Sequence, residues 1–157
     1  MTITPDIDPM ALPLRERLIH TAESVFRDIQ TVPEDGFTAR APECIFRALP
    51  ASIGIPPMDN EEILALHRKT RSSTVMKNFQ ARRVPGSVPI VDEAQRKIVF
   101  HMQISADMSG GKFEQEYIFI MTANETGTLL THIDEFMDSY LYHCLKANTA
   151  AAGERDE

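Results

Sequence analysis

The sequence has no tryptophan, only two cysteines and no long apolar run, and the last two shortages each exclude a class of protein. Cys44 and Cys144 lie 100 residues apart without CxxC spacing, which argues against a disulfide framework and a zinc site. No apolar stretch approaches the ~18 residues that cross a membrane, and the N-terminus lacks the basic start and apolar run of a signal peptide. We therefore expect a protein that contacts no membrane and stays in the cytoplasm.

Positive charge is also scarce. Lys and Arg number 16 against 23 Asp and Glu, giving a formal net charge of -7. A chain this acidic is poorly suited to neutralising a phosphate backbone, so the sequence predicts no nucleic-acid partner. The basic run of Arg68, Lys69 and Arg71 is more typical of a solvated helix end than of a phosphate clamp.

The sequence signatures of metal and cofactor chemistry are missing as well. The five histidines show no HxH or HExxH spacing. No GxSxG elbow, phosphate-cradling glycine-rich loop or dinucleotide fingerprint occurs. The motifs that usually carry out phosphoryl transfer, hydride transfer and triad hydrolysis are therefore missing. The sequence predicts neither a metal nor a cofactor.

What the chain does contain is enough apolar residues for one core, since 43% of its 157 residues are hydrophobic. Spacing predicts helices over 13–31 and 59–71, strands over 43–49, 74–91, 97–107, 113–122 and 128–135, and a short helix over 136–145. We expect a flexible N-terminus over 1–11, one domain over 12–145 and a disordered tail over 146–157. The order of elements predicts an α+β fold with helices on one side of a curved antiparallel meander.

The alternation of side chains assigns the residues of this meander to two faces. If the two turns pair 108 with 113 and 122 with 128, one face is mostly apolar and consists of Phe100, Met102, Ile104, Phe113, Gln115, Tyr117, Phe119, Leu129, Thr131, Ile133 and Glu135. The opposite face carries His101 and His132. Polar groups on the apolar face need partners or a cavity. Two interpretations stay open: Glu135 is solvated at the sheet's end and Tyr117 is a core tyrosine, or both line an apolar pocket.

Glu135 and Tyr117 are suited to acid/base chemistry without a cofactor. An unperturbed glutamate titrates near ~4.3 and a tyrosine near ~10, so at neutral pH the first accepts a proton and the second donates one. An arginine at the mouth of such a pocket would stabilise a developing alkoxide or enolate. Arg40, followed by Ala-Pro at the entry of the first strand, is the candidate, and Arg47 within that strand is its rival.

Several stretches resemble a known family. They are the long first helix and the strings Arg40-Ala-Pro-Glu-Cys, Leu49-Pro-Ala-Ser-Ile-Gly-Ile-Pro-Pro-Met-Asp-Asn, Glu116-Tyr-Ile-Phe-Ile and Ile133-Asp-Glu-Phe-Met-Asp-Ser. Over about residues 12–142 the chain resembles the SnoaL-like isomerases and cyclases of fungal natural-product pathways, in the nuclear transport factor 2-like superfamily. The resemblance implies a curved antiparallel sheet around a conical cavity closed by helices, a homodimer, and activity without metal or cofactor.

The resemblance also implies roles for individual residues. In the semipinacolase-type pattern an Arg before Ala-Pro, two Tyr on the third meander strand and a Glu at the end of the last strand line the pocket. The Arg falls on Arg40, one Tyr on Tyr117 and the Glu on Glu135, whereas the second Tyr falls on Phe113. The missing hydroxyl implies a different substrate or proton donor. Meroterpenoid members also use acidic and His groups near the second helix and last strands, where Glu61, Glu62 and His132 lie.

These observations predict a cofactor-independent isomerase or cyclase that rearranges an apolar polycyclic metabolite, a meroterpenoid or an indole alkaloid. Arg40, Tyr117 and Glu135 are the expected catalytic residues, and the expected substrate-binding residues are Phe46, Met102, Phe113, Gln115, Phe119 and Thr131. The first alternative is a dehydratase or epoxide hydrolase of the same superfamily, which usually has a His with Asp, or an Asp-Arg-Asp relay, facing the cavity. The second is a non-catalytic module that binds a ligand or a protein.

Overall fold

The computed structural model describes residues 7–72, 76–108 and 110–153. Three α-helices and six strands lie in these ranges: α1 (Leu14–Thr31), β1 (Arg40–Leu49), α2 (Asn60–Ser72), β2 (Met76–Arg83), β3 (Ile90–Asp92), β4 (Lys97–Met108), β5 (Gly111–Ala123), β6 (Leu130–Met137) and α3 (Ser139–Gly153). Short 3-10 helices precede α1 at Pro9–Ala11 and follow β1 at Ala51–Ile53. None of the helices in these ranges has the length and apolar content that a membrane span requires.

All the strands join one curved sheet in the order β1-β6-β5-β4-β2, with β3 paired to β4. The predicted α+β fold is confirmed. The sheet is antiparallel except at one pair, because β1 runs parallel to β6. Hairpin turns fix the direction of neighbouring meander strands, but four strands and α2 separate β1 from β6 in sequence, so no turn predicts their relative direction.

The pairing register differs from the predicted one, yet it leaves the faces unchanged. Met102 lies opposite Tyr117, and Phe119 lies opposite Glu135. The first pairing is two residues from the predicted register, because β4 and β5 continue closer to their turn, with Met108 opposite Gly111. The second is four residues away, because the connection between β5 and β6 is longer than predicted and a bulge follows it. An even slip preserves the alternation, so Tyr117, Phe119 and Glu135 share the face that the sequence assigned them to. We call this side of the sheet the inner face, and the side of His101 the outer face.

One bulge, between Thr122 and Ala123, does change a face at the start of β6. Leu130 pairs with Ala123 and is fully buried, whereas Leu129 was predicted to lie on the apolar face. Thr131 is the additional residue of the bulge, and its hydroxyl donates to the Thr122 carbonyl at 3.2 Å. A bulge adds one unpaired residue to a strand and shifts the alternation before it, which the sequence pattern did not reveal.

The inner face is covered by α1, whose apolar stripe packs on β4 and β5. Phe26 meets Phe100 and Phe119 edge to face at centroid distances of 5.3 and 5.0 Å. Leu18, Ala22 and Val25 extend this contact along the helix. Such apolar burial dominates the stability of a small domain. The part of the inner face beneath α1 is therefore filled by packed apolar side chains.

Several predicted boundaries differ from the structure; for example, β1 begins at Arg40 rather than at residue 43, and α3 begins at Ser139 rather than at residue 136. The strand predicted over 74–91 is two strands, β2 and β3, since residues 84–89 with Pro85 and Gly86 interrupt it; residues 74 and 75 lie outside the described residues. The flexibility of the N-terminus stays a prediction: residues 1–6 lie outside the described residues, and in the remainder Asp8 accepts from the Met10 amide at 2.9 Å and the Arg17 side chain donates to Pro9 and Leu12 carbonyls. The predicted tail is helical as far as Gly153, because the alanine-rich stretch after Lys146 has high helix propensity.

Candidate active site

Arg40 opens β1 and buries its guanidinium between α1, α2 and the sheet. Its side chain stacks on Phe37, with Cζ 3.7 Å from the ring centroid, and the residue is only 8% exposed. Both Nε and Nη1 are buried without a hydrogen-bond partner. Since a buried cation normally has ionic or hydrogen-bonded partners, this arginine has unused donor capacity.

Glu135 and Tyr117 extend from neighbouring strands on the inner face. Glu135 of β6 pairs with Phe119 of β5, and Tyr117 lies two residues from Phe119 on the same face. Such diagonal neighbours lie within about 8 Å of each other. The carboxyl group and the phenol therefore occupy the same part of the inner face, and Tyr117 is buried.

Burial shifts the protonation of this pair strongly. Desolvation raises the pKa of Glu135 to about 7, although the positive charge of Arg40 acts in the opposite direction. Burial also raises the pKa of Tyr117 above its usual range, and the neighbouring Glu135 carboxylate adds to this shift. At neutral pH the phenol is therefore a proton-bearing donor, while the carboxyl group can either release or accept a proton.

His67 of α2 is a residue that the sequence analysis missed. Its ring lies edge to face against Phe37 at 6.2 Å, and burial, followed by the charges of Arg40 and Arg71, lowers its pKa to about 4. It is a neutral imidazole near Arg40. Helical spacing through Ile63, Leu66 and Thr70 predicts the buried stripe of α2, but this prediction is wrong at Leu66, which is 43% exposed. A spacing of four residues from Ile63 leads to His67 and Arg71 and would have revealed both.

Asp28 of α1 is a second residue that the sequence analysis missed. It is 2% exposed, and its carboxylate accepts hydrogen bonds from the amide and hydroxyl of Thr38 at 3.1 and 3.2 Å. Burial raises its pKa, while Thr38 and the charges of Arg40 and Arg27 act in the opposite direction. Its position between Val25 and Ile29 in the apolar pattern of α1 was the available signal.

Three polar residues considered from the sequence lie on the outer face of the sheet, away from Arg40, Tyr117 and Glu135. Arg47, the rival of Arg40, forms a bidentate pair with Asp134, with two contacts of 2.7 Å. His101 contacts Glu116 at 2.8 Å, and His132 is exposed. Both histidines therefore lie outside, as the sequence predicted.

Of the predicted acids on α2, Glu61 is exposed and Glu62 is part of the helix cap. Glu62 accepts from the Asp59 amide at 3.0 Å, and Asp59 accepts from the Glu62 amide at 2.9 Å. In the described ranges, no three His, Cys, Asp or Glu side chains are grouped to hold a metal ion.

The predicted substrate-binding residues fall into three groups. Phe46, Met102 and Gln115 are buried on the inner face, and Gln115 donates to the Asp138 carbonyl at 3.3 Å while its Oε1 has no partner. Phe113 is partly buried there, whereas Phe119 belongs to the core beneath Phe26. Thr131 is not brought to the group, because its hydroxyl is bonded to the backbone and lies 3.2 Å from the exposed His132 ring.

Comparison with known proteins gives the family. No family model matches the sequence. Austinoid biosynthesis clusters protein H of Penicillium brasilianum is 35% identical over 128 residues, 81% of this chain and 86% of that protein. The crystal structure of the BvnE pinacolase from Penicillium brevicompactum is 36% identical, with a TM-score of 0.82 over 90% of this chain and 99% of that one.

The structure of AusH from Aspergillus nidulans is 32% identical, with a TM-score of 0.72 over 82% of this chain and 88% of that one. An NTF2-like protein from Burkholderia pseudomallei, 11% identical with a TM-score of 0.60, shows the same fold. The chain therefore has the NTF2-like fold and belongs to the SnoaL-like family of fungal secondary-metabolite biosynthesis proteins that includes austinoid biosynthesis protein H and the BvnE pinacolase.

Proposed function

We propose that this protein is a cofactor-independent isomerase or cyclase that rearranges an apolar polycyclic secondary metabolite of the meroterpenoid or indole-alkaloid class. The observation that carries the proposal is the inward-facing carboxyl group of Glu135, whose pKa of about 7 is raised by burial, beside the phenol of Tyr117. Arg40 acts on this carboxyl group through its positive charge. Its Nε and Nη1 donors have no hydrogen-bond partner.

In this proposal each polar group has one role. Glu135 takes a proton from the substrate as a carboxylate and returns one as a carboxylic acid, so the rearrangement needs no net proton change. Tyr117 donates a hydrogen bond to a substrate oxygen, and Arg40 stabilises the negative charge that develops there. Phe46, Met102 and Phe113 provide apolar contacts, and Gln115 offers an unpartnered acceptor oxygen.

Substitution of the two acid/base residues tests this function. Glu135→Gln and Tyr117→Phe are each expected to lower turnover by about 10²- to 10⁴-fold, the usual contribution of a positioned proton donor or acceptor. The measurement is conversion of a panel of polycyclic lactones and indole-derived epoxy alcohols, followed by liquid chromatography and mass spectrometry. Glu125→Gln and Tyr140→Phe, on exposed residues, are the matched controls. Full activity of both site variants would overturn the assignment.

A dehydratase is the second candidate, because one observation favours it. His67 is a neutral imidazole near Arg40 and can accept a proton at neutral pH, although its lowered pKa makes it a weaker base than an unperturbed histidine. Product mass separates the reactions, since an isomer has the mass of the substrate and a dehydration product is one water lighter. Loss of water that depends on His67 but not on Glu135 would favour the dehydratase.

The epoxide-hydrolase alternative has less support. Arg40 interacts with two carboxyl groups, those of Asp28 and Glu135, which is similar to the expected Asp-Arg-Asp relay. Asp28, however, is buried and its carboxylate accepts hydrogen bonds from Thr38, so it is not placed to activate water. A product one water heavier than the substrate would support hydrolysis. A non-catalytic binding module would bind the same compounds without converting them.

The proposal includes a homodimer formed through the outer face. An apolar stripe crosses four strands there and consists of Leu49, Phe136, Ile118, Ile120 and Val99. Phe136 is 48% exposed. The polar side chains beside the stripe are paired within the chain, Arg47 with Asp134 and His101 with Glu116, so two identical faces would repel each other little. A second copy of this chain is therefore the occupant that we propose for this face.

A further inference from the structure

Asp28 is a buried carboxylate that has no role in the proposed chemistry. The other buried residues of its helix, α1, are apolar apart from the hydroxyl-bearing Thr21 and Ser24, so Asp28 is the one buried ionisable group of this helix. Placing a carboxylate at a buried helix position costs free energy unless it is paired and hydrogen-bonded. The contacts of Asp28 show what offsets this cost.

The first contact is with the segment that carries Arg40. The Asp28 carboxylate accepts hydrogen bonds from both the amide and the hydroxyl of Thr38, which fixes Thr38 against α1. Phe37 precedes Thr38 and stacks on the Arg40 guanidinium, and Arg40 follows two residues later. Asp28 thus holds the two residues that determine where this guanidinium lies.

The second contact is electrostatic. Arg40 interacts with the charges of both Asp28 on α1 and Glu135 on β6. No hydrogen bond joins its Nε or Nη1 to either carboxylate. A buried arginine that relied on Glu135 alone would lose its counter-charge whenever Glu135 became protonated.

We propose that Asp28 is a positioning residue, which anchors the 37–40 segment through Thr38 and acts as the permanent counter-charge of Arg40, so that Glu135 is free to exchange a proton. The proposal rests on the proposed function insofar as Glu135 is the proton carrier. Its structural content is independent of the reaction, because it concerns the charges around Arg40 in the protein without substrate.

Three other titratable groups around this cluster, Cys44, His67 and Tyr117, remain neutral while Glu135 titrates. Cys44 of β1 faces Arg40, and burial raises the pKa of its thiol to about 11. His67 of α2 has a pKa of about 4, and Tyr117 of β5 remains protonated. Arg27 of α1 also faces Asp28. The charge that balances Arg40 at neutral pH therefore comes from Asp28 and the ionised fraction of Glu135.

Asp28→Asn tests the counter-charge, since it keeps the shape and an acceptor oxygen for Thr38 but removes the charge. Without the negative charge of Asp28, Arg40 acts more fully on Glu135 and favours its ionised form. We expect the midpoint of Glu135 to fall by roughly one pH unit. The readout is a carbon-13 NMR titration of the side-chain carboxyl carbons, in which Glu135 is identified by its absence from Glu135→Gln. Thr38→Val, which keeps the Asp28 charge, is the control and is expected to leave the midpoint unchanged.

A measurement on the unsubstituted protein keeps the proposal testable if Asp28→Asn fails to fold. The carboxyl carbon of Asp28 is expected to show the ionised form throughout the pH range in which Glu135 titrates. Protonation of Asp28 in that range would overturn the proposal, as would an unchanged Glu135 midpoint in a folded Asp28→Asn variant. A shifted midpoint with no change in the pH profile of kcat/KM would support the role of Asp28 and contradict the proposed role of Glu135.

Discussion

At the scale of single residues, the candidate site is a set of polar groups whose protonation is governed by burial. Desolvation is the largest cause of the raised pKa values of Glu135 and Tyr117 and of the lowered pKa of His67. When folding shifts the pKa of a group away from its value in the unfolded chain, the free energy of unfolding changes with pH. The site should therefore be visible in unfolding experiments as well as in activity.

Glu135→Gln is expected to change the pH dependence of stability. The folded state keeps the Glu135 proton up to about pH 7, whereas in the unfolded chain the glutamate has its usual pKa of 4.5 and releases the proton there. The free energy of unfolding of the natural protein therefore falls as pH rises through this window, by roughly 3 kcal/mol in all, and then levels off. A neutral glutamine lacks this loss, so the variant gains stability relative to the natural protein between pH 5 and pH 8. Urea denaturation at the two pH values measures the difference.

Glu125→Gln is the control for this experiment, because Glu125 is exposed in the loop before β6. It should change the free energy of unfolding equally at both pH values. The same result for Glu135→Gln would show that the Glu135 carboxyl group is not desolvated.

The residues of this site were only partly predictable. The alternation of apolar residues was enough to place Tyr117 and Glu135 on one face, and Arg40 came from the resemblance and its place before Ala-Pro. His67 was missed because the buried stripe of α2 was assigned to Leu66 instead, and Asp28 because a charged residue among apolar helix positions is usually solvated. The contacts that show their burial, Phe37 against His67 and Thr38 against Asp28, come from another part of the chain.

At the scale of elements, strands and helices differ in how much of the site they fix from sequence alone. A strand places its residues by parity, so an error of two or four residues in the β4–β5 and β5–β6 registers left Glu135 on the inner face. A bulge breaks parity, which is why Thr131 was misplaced. A helix turns through 100° per residue, so an error of one residue in the stripe of α2 was enough to replace His67 with Leu66.

The start of α2 carries a reciprocal capping box formed by Asp59 and Glu62, with contacts of 2.9 and 3.0 Å. Asp59→Ala is expected to lower the free energy of unfolding by about 1 kcal/mol, because two helix donors depend on this pair. Turnover at a temperature where the variant remains folded should be unchanged, since the Asp59 side chain is exposed and bonds only within the cap.

Chemical denaturation measures the loss of stability, and Glu61→Ala is the control. Glu61 lies in the same helical turn but outside the box, so its removal should cost only a few tenths of a kcal/mol at this exposed site. Equal losses for the two variants would mean that the effect comes from the charge of the first helical turn rather than from the capping box.

At the scale of the whole molecule, the two faces of the sheet have separate tasks. The inner face packs against α1 through the core around Phe26, and it also carries the polar groups around Arg40. The outer face contains internally paired charges and the apolar stripe centred on Ile118. Alternation along β4, β5 and β6 predicted this division. The parallel docking of β1 on β6, which extends the stripe to Leu49, was not predictable from local pattern because it depends on a long-range connection.

The stripe predicts the oligomeric state. Light scattering coupled to size-exclusion chromatography is expected to give about twice the 17.7 kDa mass of one chain. Ile118→Glu places a charge in the stripe, directly opposite Phe136, and is expected to give a single chain with an unchanged circular dichroism spectrum, because burying an unpaired charge in an interface costs several kcal/mol. Leu66→Glu is the control, since Leu66 is an equally apolar, 43% exposed residue on α2 and away from the outer face. A natural protein that elutes as a single chain, or a Leu66→Glu variant that dissociates as readily as Ile118→Glu, would contradict the assignment of this face to a second copy.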